Sequence, residues 1–134
     1  MGYKLNLENM NLALNELKKT YKIYAPKVFV GAGTFSDTDR VRYGEIESFE
    51  EIEFDKKSSF SYKETILPTR QTLFFFTEDE CKEAEVDERP ALIFLRSCEI
   101  HSLKRIDDIY LRNGFEDIYY KKMRDRAKFV LIGC

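Results

Sequence analysis

Apolar side chains at Met10, Leu12, Leu14, Leu17 and Tyr21 recur near helical spacing. They predict one amphipathic helix from about Asn6 to Tyr21, with Asn6 or Asn9 as its cap and lysines at its end. The pattern then changes to alternation in Tyr21-Lys22-Ile23-Tyr24-Ala25-Pro26, a strand expected to stop at the proline, which has no N–H for a ladder. Val28-Phe29-Val30 and Arg40 to Ile46 flank the turn-rich run Gly31 to Asp39, which reads as a long-looped hairpin. Phe49 to Phe54 fits either a strand or one helical turn, Lys56 to Ser59 reads as a solvent loop, and Thr72 to Phe76 reads as a strand. Glu78 to Glu88 carries Glu78, Asp79, Glu80, Glu83, Glu85, Asp87 and Glu88 against Lys82, and such a run predicts a solvated loop or short helix.

The C-terminal part has the clearest pattern. Ala91-Leu92-Ile93-Phe94-Leu95 is continuously apolar, as a strand buried on both faces would be. Ser97 is placed to cap the next helix. Ile100, Leu103, Ile106 and Tyr110 at steps of three and four predict that helix from about Cys98 to Leu111, ended by Asn113-Gly114. Asp117 to Arg126 reads as a second short helical or irregular piece, and Ala127 to Ile132 as a returning strand. The expected fold is therefore α/β (α+β): an N-terminal helix and β-hairpins leading into a mixed sheet with a C-terminal βαβ crossover unit. By the usual rule that crossover is right-handed.

Length changes this picture little, since 134 residues fit a single domain. Charge excludes more. With a formal net charge of −2, the chain lacks the strongly basic balance of a nucleic-acid binder. Its apolar runs fall short of the roughly 20 residues that span a bilayer, and Met1 to Asn6 contains no signal-peptide core. A cytoplasmic location with no membrane or nucleic-acid partner is expected. The three cysteines, Cys81, Cys98 and Cys134, lack close spacing, which fits a reducing compartment and gives no disulfide framework.

Cys98 and Cys134 each lie just past an apolar strand, and a crossover helix between those strands would bring them to the same sheet edge. Two readings stand: small buried residues at strand ends, or redox or cluster-proximal thiols completed by ligands from elsewhere. Neither zinc nor a four-cysteine iron–sulfur site can be completed within the chain. His101, three residues beyond Cys98, shares its helix face, but no orienting third group can be read beside the pair. Gly31-Ala32-Gly33 follows a strand, yet Ser36 occupies the fingerprint's third glycine position and no helix follows. The basic run with Lys121, Lys122, Arg124 and Arg126 is either a solvated face or a patch that steers an acidic partner.

Several segments taken in order carry a resemblance. They are Tyr24-Ala25-Pro26, Gly33 to Asp39, Tyr43, Tyr62-Lys63-Glu64 with Pro68, Thr72-Leu73-Phe74, Arg96-Ser97-Cys98-Glu99, Asp117 to Tyr120 and Ile132-Gly133-Cys134. Together the chain resembles the N-terminal region of the iron–sulfur (A) subunit of anaerobic sulfite reductase, and shares a broader pattern with beta subunits of cytoplasmic sulfhydrogenases. The family's usual Arg-Pro-Cys-Asp reads Arg96-Ser97-Cys98-Glu99 here, and a glutamate common near Pro68 to Gln71 appears as Gln71.

That resemblance implies an electron-transfer subunit of a sulfite-reducing oxidoreductase complex. Its two 4Fe-4S clusters would belong to a ferredoxin-like segment absent from these residues, so the chain is expected to be the N-terminal module of a longer subunit and to bind no cluster alone. Implied partners are a flavin- and nicotinamide-handling subunit and a siroheme-containing subunit. Cys98, Glu99 and Cys134 become cluster-proximal or redox candidates, and Lys121, Lys122, Arg124 and Arg126 partner-docking candidates. No catalytic residue is assigned and no autonomous catalysis is expected. The alternative is a non-redox structural or subunit-interaction domain with buried cysteines.

Overall fold

The computed structural model describes residues 2–35, 37–85 and 87–133. Its first element, α1 (Leu7–Lys18), is capped by Asn6, whose side chain accepts from the Asn9 N–H at 2.9 Å. Only Leu14 of this helix is buried, while Leu12 and Leu17 stay exposed. Polar ties supplement that narrow contact: Asn11 donates to the Glu50 carboxylate and accepts from the Phe49 N–H, and Lys18 donates to the carbonyl of Glu47.

Strands β1 (Lys22–Phe29) and β2 (Arg40–Glu45) form the expected antiparallel hairpin, from Tyr24 opposite Glu45 to Phe29 opposite Arg40. Pro26 does not end β1, contrary to the sequence expectation. Its carbonyl accepts from the Glu53 N–H at 2.7 Å, so its polar side faces away from β2, and the missing N–H removes nothing from that ladder. Turns of 3₁₀ helix follow at Phe49–Glu51 and Tyr62–Thr65.

β3 (Phe74–Phe76) and β4 (Cys81–Glu83) form a separate two-stranded antiparallel ribbon. Part of the acidic run is thus a strand rather than loop or helix, because pairing to the aromatic β3 outweighs the weak strand preference of Lys and Glu. The chain then enters the main sheet as β5 (Ala91–Arg96), passes through α2 (Ser97–Leu111) and α3 (Ile118–Arg126), and ends in β6 (Ala127–Ile132). The sheet order is β2-β1-β5-β6, with β1, β5 and β6 mutually parallel. This is the expected α+β arrangement with a mixed sheet and a terminal strand–helix–strand unit.

Two cores lie on opposite faces of that sheet. Ile23, Ala25, Leu92 and Phe94 pack with Leu14, Ile46 and Ile52, while Ile93 and Leu95 pack with Tyr43, Tyr62, Ile66, Leu103, Ile106 and Tyr120. Both faces of β5 are therefore buried, which accounts for its continuous apolar run. Ile100, expected on the packed face of α2, is 42% exposed. Gly114 takes the left-handed backbone that stops α2, at φ 93°, and Asp117 caps α3 by accepting from the Tyr120 N–H. Among the described residues no helix is long and apolar enough to cross a membrane.

Candidate functional site

β1 and β5 pair only from Lys22 opposite Ala91 to Tyr24 opposite Ile93. Beyond that point the first strand turns back into β2 on one side, and the second leads through α2 and α3 to β6 on the other. Open sheets bind ligands in the crevice outside the carboxyl ends of strands whose connections depart in opposite directions. Here the crevice is wedged by segment 53–56. The Arg96 guanidinium donates to the carbonyls of Phe54 at 2.9 Å and Lys56 at 2.7 Å, and Pro26 receives the Glu53 N–H from the other side. A groove of about 410 Å³ remains, lined by Pro26, Tyr43, Phe60, Arg96, Cys98 and Glu99 among others.

The start of α2 presents two of the sequence-predicted groups here. Glu99, in the third helical position, accepts from the Arg96 N–H at 3.4 Å and from the Tyr43 hydroxyl at 2.6 Å. An acid in the first turn satisfies an otherwise unpaired amide and complements the positive end of the helix dipole. Burial pushes the Tyr43 phenol well above its ordinary value, and its hydrogen bond to Glu99 pushes it in the same direction. The pair is thus a neutral donor held against a carboxylate.

Cys98 is exposed and lines the groove, which corrects the reading of this thiol as a buried filler residue. Cys134 lies outside the described residues, and the expected proximity of the two thiols rests there. The backbone register does bring Arg96 opposite Ile132, so the carboxyl ends of β5 and β6 are side by side. Cys81 is exposed on the separate ribbon. His101 is exposed on α2 and no orienting hydrogen bond reaches it among the described residues.

A 4Fe-4S cluster takes four thiolates in its usual site. The groove lining supplies one, and among the described residues no group of three or more His, Cys, Asp or Glu is placed to hold a metal ion. These residues alone do not fit the cluster.

The basic run of α3 makes mostly intramolecular pairs. Arg124 donates through Nε to Asp107 at 3.0 Å and through its terminal nitrogen at 3.2 Å, and it also lies over the Phe129 ring. The same carboxylate accepts from the Tyr120 hydroxyl at 2.6 Å, and burial with this bond raises the Tyr120 phenol above its usual range. Lys121 pairs with Glu116 and Arg126 with Glu88. Lys122 borders a hollow shared with Glu83, Glu85 and Glu88.

Sequence reasoning notes Tyr43, Tyr62 and Arg96 only among the segments that carry the resemblance and gives them no role at the site, where the Tyr62 hydroxyl lies 3.0 Å from the Ser102 hydroxyl. Tyr43 and Glu99 are 56 residues apart, and no local pattern joins them.

The chain is 30% identical, over 138 aligned residues covering 98% of its length, to the sulfhydrogenase 2 subunit beta of Pyrococcus furiosus. It spans 37% of that relative. Neither a protein-family model nor a solved structure matches it.

Proposed function

We propose that this chain is a module of an electron-transfer subunit in a multi-subunit oxidoreductase, and that the complex is of the anaerobic sulfite reductase type. The identity to a sulfhydrogenase beta subunit across almost the whole chain supports the electron-transfer part of the reading, and the sulfite reductase type rests on the resemblance of the sequence motifs alone. In the proposed complex 4Fe-4S clusters relay electrons between a flavin- and nicotinamide-handling subunit and a siroheme-containing subunit in the cytoplasm. Their ligands come from cysteines other than those described here, since the groove offers a single thiol. Cys98 and Glu99, together with Cys134, border that chemistry without bond-making of their own. Their contribution is placement: Tyr43 fixes Glu99, Glu99 holds the first turn of α2, and that turn carries Cys98.

The test uses the complete subunit in its native assembly, with Cys98→Ser and Cys134→Ser made singly and together. Reduced cluster content or a slower electron transfer rate to sulfite is expected. Unchanged iron and sulfide content together with an unchanged rate would overturn the role given to these thiols. An assembly that contains no iron–sulfur cluster, or that does not reduce sulfite, would overturn the wider assignment.

A further inference from the structure

The β3–β4 ribbon carries three consecutive exposed phenylalanines. Phe74, Phe75 and Phe76 are 46%, 62% and 76% exposed, and successive strand residues point to opposite faces. Aromatic surface is therefore open on both faces of the ribbon. With about 200 Å² for each phenylalanine side chain, the open area is roughly 240 Å² on the face of Phe74 and Phe76 and roughly 120 Å² on that of Phe75. Among the described residues no third strand pairs with the ribbon. A hollow of about 450 Å³, bordered by Tyr24, Phe75, Met123 and Arg126 among others, lies between it and the starts of β1 and β5 beside α3. An isolated two-stranded ribbon is marginal in water and gains stability from a third strand.

The hydrogen-bond alternation shows where such a strand would add. Ala84 donates to Leu73 and Thr77 donates to Glu80 across the ribbon, so every second pair is bonded and Phe75 opposite Lys82 belongs to that class. The N–H and C=O groups of Phe74 and Phe76 consequently point to the outer edge of β3. No proline or bulge blocks that edge.

Charge selects the occupant. Lys82 is paired with Glu80 at 2.9 Å, whereas Glu78, Asp79, Glu83 and Glu85 make no ion pair among the described residues. A second copy of this chain would offer these carboxylates a single cation, Arg70, from the segment that leads into its own β3. An extended segment with alternating apolar residues and flanking lysine or arginine would instead bury the phenylalanines and offset the carboxylates.

We propose that the outer edge of β3 is a docking site for such an extended, basic-flanked segment of a different polypeptide. The proposal does not depend on electron transfer. It is tested on the full chain, tagged at one end and purified from its own cells with whatever assembly it forms, and on the same chain stripped of partners. Amide exchange at Phe74 and Phe76 should slow at least tenfold in the assembly. Carbodiimide cross-linking should join carboxylates of residues 78–85 to lysines of a second, different polypeptide. Phe75→Ser with Phe76→Ser should reduce retention of that polypeptide roughly tenfold or more, as loss of buried aromatic anchors does. Glu83→Lys with Glu85→Lys should weaken it while leaving the fold intact, which keeps the test open should the phenylalanine variant misfold. Equal exchange with and without the assembly, cross-links confined to this chain or to a second copy, undiminished retention by the charge-reversed variant, or purification as a lone monomer would each overturn it.

Discussion

Uncoupling Tyr43 from Glu99 tests the groove directly. The Tyr43 ring is 8% exposed and its hydroxyl meets the carboxylate at 2.6 Å. A hydrogen bond to a charged group contributes about 1.5–3 kcal/mol. Glu99 is only partly buried, so water replaces part of the lost donor in Tyr43→Phe, and a loss of about 1–1.5 kcal/mol is expected. Glu99→Ala does more: it strands a buried phenol, withdraws an acid from the first turn of α2 and releases the Arg96 amide, for a loss of about 2–3 kcal/mol. Because the two changes delete one shared bond, the double variant should lose about 1–2 kcal/mol less than the sum. Urea unfolding of the four proteins, with equal denaturant slopes as the check on comparable unfolded states, measures this coupling. Losses that add to within about 0.5 kcal/mol would refute the idea that this contact organises the groove.

Other outcomes follow from the same geometry. Asp107→Ala leaves the Arg124 guanidinium and the Tyr120 hydroxyl without their shared acceptor, and a loss of about 3 kcal/mol is expected; calorimetry should show a Tm lower by roughly 10 °C, and a shift under about 2 °C would refute the role of this network. Burial raises the phenols of Tyr43, Tyr62 and Tyr120. The unfolded chain ionises near pH 10 while these folded phenols stay neutral, so their contribution is complete below about pH 10 and is lost as pH rises beyond it. Urea midpoints that stay constant from about pH 9 to about pH 11 would contradict this. In Gly33→Ala the new methyl would sit 2.1 Å from the Thr38 hydroxyl and 2.6 Å from its carbonyl oxygen. The Gly33 N–H bond to that carbonyl would break, with a loss of about 1–2 kcal/mol read from chemical denaturation; wild-type stability in this variant would show that the turn yields freely.

Elements with one dominant period are legible in the sequence. β5 shows an unbroken apolar run because both its faces are covered, and α2 shows Leu103 and Ile106 because those side chains meet the sheet. Legibility fails where a distant partner decides the outcome. Pro26 reads as a terminator until the Glu53 amide is seen to take its carbonyl, and Cys81–Glu83, exposed as expected, reads as loop or short helix until Phe74–Phe76 is seen paired with it. Topology alone places Cys98 and Glu99 at a strand end, whereas Tyr43, Arg96 and the wedge they border depend on side-chain contacts between segments remote in sequence. The basic run is visible, but its pairing with Glu116, Asp107 and Glu88 is not.

The parallel pairing of β1 with β5 also orders events in time. During synthesis the β1–β2 hairpin can close from neighbouring residues, but Tyr24 must wait for Ile93 to leave the ribosome before its second ladder forms. Until then an internal strand of the finished sheet is an open edge carrying Ile23 and Ala25, both of which end up buried. Such long-range parallel pairing is slow to form and exposed to aggregation while incomplete. A nascent chain paused anywhere between residues 46 and 90 therefore holds that edge unpaired, with the strand that will cover it still to come.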